Sequence, residues 1–118
     1  MNRERVQMLR DMMEGIPEEQ VALDRFFTQN GEACNTIACI AGWAAIYPPF
    51  VEQGLTVCKV DLDWTAAYKA PSYAGLTEEQ AAAKFFDVPA ITFSYVHHDE
   101  TGTHKQIALK RLDALLKG

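Results

Sequence analysis

Apolar residues first recur at helical spacing: Val6, Leu9, Met13 and Ile16, widened to a stripe by Met8 and Met12. The pattern predicts an amphipathic helix over residues 2–14, stopped by Gly15 and Pro17. Glu18, Glu19 and Gln20 can open a short helical turn. Beyond them Val21 and Leu23 alternate with Ala22 and Asp24 before Phe26 and Phe27, which fits an extended segment equally well. Thr28 to Glu32 is a polar connection hinged on Gly31. Residues 34–47 then carry no charge, so this stretch predicts a helix buried on nearly all sides, spanning about 36–47. Ala38, Ala41, Gly42, Ala44 and Ala45 let other elements approach its backbone, while Ile37, Ile40, Trp43 and Tyr47 supply bulk. Cys39, Trp43 and Tyr47 stand four apart and would form one row. Asn35 or Thr36 would cap the start, and Pro48-Pro49 would end the helix.

Phe50 to Gly54 reads as one further turn. Leu55 and Val57 alternating with Thr56 and Cys58 then give the one convincing strand. A lone strand leaves its backbone unsatisfied, so it needs a partner, and Trp64 to Tyr68 is the nearest. Residues 70–75 read as a loop. Two T-x-x-Q capping boxes follow, Thr77 with Gln80 and Thr103 with Gln106. The first opens a helix that buries Phe85 and Phe86. The second opens one that turns Ile107, Ala108, Leu112 and Leu115 inward. For residues 90–95 periodicity fits a short helix or a strand, and Pro89 at a first helical position favours the helix. The fold expected is mainly α: a single domain over 1–118, with four to five helices around the buried central one and at most a two-stranded β-hairpin near 55–68.

The residues Cys34-Asn35-Thr36-Ile37-Ala38-Cys39-Ile40-Ala41-Gly42-Trp43-Ala44 resemble the C-G-T-x-A-C-x-x-G-[WH]-A signature of a family of small uncharacterised proteins of bacterial and phage genomes. The opening Asn2-Arg3-Glu4-Arg5 helix, the Ile16-Pro17 break, the Phe85-Phe86 pair and the closing helix from Thr103 are similar to that family's layout. Asn35 stands where the family has Gly, and Asn also tolerates positive φ and caps helices well. The resemblance implies no catalytic assignment. It implies a phage setting, and with it a host-modulating or anti-defence role.

Charge narrows the classes. A formal net charge of −5 argues against a nucleic-acid binder, which needs a basic stripe to displace counterions. The longest apolar run is too short to cross a bilayer, and the charged start lacks the pattern of a secretory signal. Three cysteines, Cys34, Cys39 and Cys58, at no framework spacing favour a reducing cytoplasm, that of the host if the chain is phage-encoded.

Candidate chemistry centres on Cys34, whose thiol at a helix start would be drawn toward the thiolate. Asn35 and Thr36 could hold an anion such as a nucleotide phosphate there, although no Gly-rich phosphate loop accompanies them. Cys34, Cys39, His97, His98 and His104 are metal-ligand types at spacings that match no local metal module, so no metal or cofactor is expected and the histidines read as solvated loop residues. Paired acids such as Glu18-Glu19 and Glu78-Glu79 read as solvated helix starts. Trp64, Tyr68, Tyr73 and Tyr95 are residue types that anchor interfaces. The reading preferred is a non-enzymatic module that binds a protein partner. The alternative is a small-ligand or anion binder, or a thiol-dependent enzyme, using Cys34.

Overall fold

The computed structural model describes residues 1–23, 38–62, 65–94 and 96–117, with the backbone alone for 59–62 and 65–69. Helix α1 (Arg3–Glu14) forms on the expected stripe: Val6, Leu9 and Met13 are buried, with Met8 and Met12 packed beside them. Its start is fixed by Asn2, whose side-chain oxygen accepts from the Arg5 N–H at 3.1 Å. After the break a 3₁₀ turn covers Glu18–Gln20. The chain then extends, so both readings of this region hold, one after the other. Val21 pairs with Ala38 in a parallel bridge. Phe26, Phe27 and the connection 28–32 lie outside the described residues.

That bridge corrects the central helix. Ala38 donates its N–H to the Gln20 carbonyl at 3.1 Å and accepts from the Ala22 N–H at 3.0 Å. Both bonds need extended backbone, which a helix from residue 36 cannot supply. Helix α2 therefore runs Ile40–Ile46, and its cap is Cys39 rather than Asn35 or Thr36. Cys39 Sγ accepts from the Gly42 N–H at 3.4 Å. With Cys39 and Tyr47 at the two caps, the expected Cys39, Trp43, Tyr47 row is not carried on one helix. Ile40, Ala41, Gly42, Ala44 and Ala45 are buried as expected, while Ile46 is 40% exposed.

Tyr47 caps α2 and also precedes α3 (Pro48–Val51), with Pro48 at the first helical position, where its missing N–H costs nothing. The chain then reaches the sheet. Strand β1 (Thr56–Leu62) pairs antiparallel with β2 (Thr65–Tyr73), and β2 with β3 (Leu76–Thr77), in the order β1-β2-β3. The sheet exceeds the expected hairpin, because residues 70–73 of the expected loop are strand and only 74–75 turn. Ala70 and Pro71 are buried strand residues, opposite Cys58 and Val57. The reversal takes only Ala74 and Gly75, at φ 52° and 82°, the left-handed pair of a tight hairpin turn.

Helix α4 (Glu78–Phe86) follows β3 at once. The expected capping box does not form: Thr77 lies in the strand, paired with Ser72, and makes no side-chain cap bond. Glu78, at φ 60°, turns the chain instead. Asp87 in the left-handed region ends α4. A 3₁₀ turn, Ala90–Phe93, resolves the helix-or-strand ambiguity toward helix and buries Thr92 and Phe93. Helix α5 (His104–Lys117) starts on the second capping box, which is reciprocal. The Gln106 N–H donates to Thr103 Oγ1 at 3.2 Å, and the Thr103 N–H to Gln106 Oε1 at 2.9 Å. Helices α1 and α5 pack together, bound at one end by Arg3 Nη2 on the Leu116 carbonyl, further along by Arg10 Nε on Asp113 at 2.9 Å, and at the other end by Lys105 Nζ on the Glu14 carbonyl at 2.7 Å.

Helix α2 packs against α1, α3, α4 and the first two strands. Gly42 is buried within it, where a methyl group is expected to overpack. Overpacking costs about 1–3 kcal/mol, which outweighs a propensity gain of up to about 1 kcal/mol. Gly42→Ala is expected to lower the chemical-denaturation midpoint and Gly42→Leu to prevent stable folding. A Gly42→Ala midpoint at or above wild type would show that the site has room.

Candidate functional site

Of the residues the sequence singles out, Cys34, Asn35, Thr36, Trp64 and Tyr95 lie outside the described residues, and Tyr68 is described only as the backbone partner of Val60. Tyr73 is half-buried, its ring edge-on to Phe85 with centroids 5.0 Å apart, at the junction of β2 and α4. The Cys39 thiol is buried, and that burial pushes it up to about 11 against the pull of the Gly42 N–H. At neutral pH it is the unreactive thiol. His104, first residue of α5, accepts from the Leu23 N–H through Nδ1 at 2.9 Å, so it fastens the extended segment to the last helix. Among the described residues, no three His, Cys, Asp or Glu side chains converge as a metal site would. No helix among them is long and apolar enough to cross a membrane.

Among the described residues a dense polar constellation lies elsewhere, between the end of the 3₁₀ turn and α5. Arg111, at 10% side-chain exposure, reaches across from α5 to Glu100. Its Nε donates to Oε2 at 2.8 Å and its Nη2 to Oε1 at 2.5 Å, the bidentate geometry that suits guanidinium and carboxylate. Nη1 donates to the carbonyls of Thr92 at 3.2 Å and Ser94 at 2.5 Å, so one side chain holds both the 3₁₀ turn and Glu100.

Glu100 in turn closes a β-turn. Its N–H donates to the His97 carbonyl at 3.0 Å, and its Oε1 accepts from the His97 N–H at 2.8 Å. Above this turn lies the His97 ring, with Nδ1 3.5 Å from Glu100 Oε1 and Nε2 2.8 Å from Ser94 Oγ. Ser94 Oγ also donates to the Ile91 carbonyl at 2.7 Å. Structure thus brings together Ser94, His97, Glu100 and Arg111, a group that the sequence reading missed. His97 is no plainly solvated loop residue, whereas His98 next to it is exposed. The signal in the sequence is the equal spacing Ser94-x-x-His97-x-x-Glu100, visible only once a turn at 97–100 is known.

Arg111 above all, then the His97 N–H and ring, hold Glu100 at about 2, well below the usual carboxylate range, against the opposing effect of partial burial. No family model, curated protein or solved structure matches the chain.

A carboxyl group whose pKa is depressed in the folded state stabilises that state above its unfolded pKa and stops doing so as pH falls through the folded value. The Glu100 contribution should therefore be complete at neutral pH and fade from about pH 4.5 toward about pH 2. In urea titrations, Glu100→Gln is expected to be less stable than wild type at pH 7, with the gap narrowing as pH falls through that window. A gap independent of pH would show that the ion pair is not its source.

Proposed function

We propose that the chain is a protein-interaction module whose contact surface includes the α2–α3 corner. The supporting observation is a pair of large apolar side chains left open there: Ile46 and Val51, each 40% exposed and flanking half-buried Tyr47 and exposed Pro48. Scattered apolar residues need no explanation, but these two end the consecutive helices α2 and α3, and open apolar residues on neighbouring elements are the kind of surface a partner covers. Half-buried Tyr47 between them is a residue type enriched at interfaces. The partner is a protein of the same compartment, the cytoplasm. The resemblance to phage-encoded proteins supports a host protein in that role, with host modulation or anti-defence as the consequence.

Capture experiments with wild type and an Ile46→Asp/Val51→Asp variant test this reading. Both side chains are partly covered, so far-UV spectra and thermal unfolding establish that the variant is folded before its capture is compared. A host protein retained by wild type and lost by the folded variant is the expected result. Equal recovery by both, or no protein retained by wild type, would overturn it.

A further inference from the structure

The cluster around Ser94 aligns a hydroxyl, an imidazole and a carboxylate in the order an acyl-transfer centre uses. A nucleophilic hydroxyl requires a base within hydrogen-bond reach, and the base requires a group that fixes its tautomer. Ser94 Oγ lies 2.8 Å from His97 Nε2, and Glu100 Oε1 lies 3.5 Å from Nδ1. The Glu100 carboxylate is ionised at neutral pH and cannot swing away, because Arg111 grips both its oxygens. Negative charge beside Nδ1 favours the proton there and leaves the Nε2 lone pair for the Ser94 hydroxyl. Among the acceptors near that hydroxyl are Nε2 and the Ile91 carbonyl, the latter at 2.7 Å. Rotation from the carbonyl to the imidazole converts a turn-closing bond into an activating one.

We propose that Ser94 is an acylatable nucleophile, with His97 as its general base and Glu100 as a positioning residue, acting on activated carboxylic esters. Ser94 Oγ attacks the ester carbonyl carbon while its proton passes to His97 Nε2. The carbon–oxygen bond to the leaving group then breaks, and the departing alkoxide takes the proton from Nε2. Water, deprotonated by the same nitrogen, hydrolyses the acyl-serine to free carboxylic acid and restores the hydroxyl. The choice of substrate follows from openness. His97 is 37% exposed, so the centre excludes little water, and its reach is acyl groups that already carry a good leaving group. Ile91, 62% exposed in the same 3₁₀ turn, offers apolar surface for a short acyl chain.

The test uses the full chain with p-nitrophenyl acetate, following phenolate release and locating acetyl groups by peptide mass spectrometry. Far-UV spectra confirm that each variant is folded. Expected are acetyl transfer to Ser94, its loss in Ser94→Ala, and a fall in rate of about 10²-fold or more in His97→Gln, the scale of general-base catalysis. Glu100→Gln should lower kcat and leave KM unchanged, a split that loosened structure alone would not give. A rate unchanged in folded Ser94→Ala or folded His97→Gln, or acetyl groups only on lysine, would overturn the proposal. None of these readouts depends on Ile46 or Val51, so this proposal and the interaction reading fail independently.

Discussion

Phe50 holds the two halves of the core together. Its ring stands edge-on to Tyr47, Phe85 and Phe86, with centroids 5.1, 5.5 and 5.2 Å away, and is wholly buried. Phe85 passes the contact to Tyr73 on the sheet and Phe86 passes it to Phe93 on the 3₁₀ turn. One α3 side chain thereby ties α4 into the core, and through α4 the sheet and the 3₁₀ turn. Edge-to-face pairs add about 0.5–1.5 kcal/mol each beyond their buried area, so such a cluster supplies directionality as well as burial. Arg5 clamps it from outside, with the guanidinium carbon 3.9 Å from the Phe85 ring centre and Nη1 donating to the Phe85 carbonyl at 2.7 Å.

This geometry explains why a four-residue helix is enough. Pro48 and Pro49 cannot continue α2, so the chain must turn at Tyr47. The short α3 that results serves to deliver Phe50, and the next buried residue, Leu55, leads directly into β1. Leu55 is tied back by its N–H to the Phe50 carbonyl at 3.1 Å, so helix and strand share one fixed corner.

Local signals were legible where a single turn settles them. The α1 stripe, the Thr103–Gln106 box and the end of α2 at the prolines depend on residues within a few positions of one another. What the sequence did not disclose depends on partners far along the chain. Ala38 has every local reason to be helical, and only its pairing with residues 20–22 keeps it extended. Thr77 and Gln80 have the spacing of a capping box, yet β3 pairing with Ser72 takes Thr77 first. The Ala70–Gly75 run looks like a loop by composition because Pro and Gly dominate the impression. The strand character of 70–73 comes from β1 alongside and the packing of α4 on β2. Of the candidate site, single residues could be named, but their grouping required Arg111 to arrive from another helix.

Arg111 carries two tasks that pull in different directions. As a structural clamp it binds the 3₁₀ turn and the 97–100 turn to α5, and the more tightly it holds Glu100 the firmer that joint becomes. As a neighbour of the Ser94–His97 pair it draws the Glu100 carboxylate toward itself and away from the imidazole. Oε1 takes the short 2.5 Å bond from Arg111 and the 2.8 Å bond from the His97 backbone, and Nδ1 is left at 3.5 Å. Distance therefore ranks anchoring above activation. The joint between α5 and the two turns is thus what the cluster's geometry serves first.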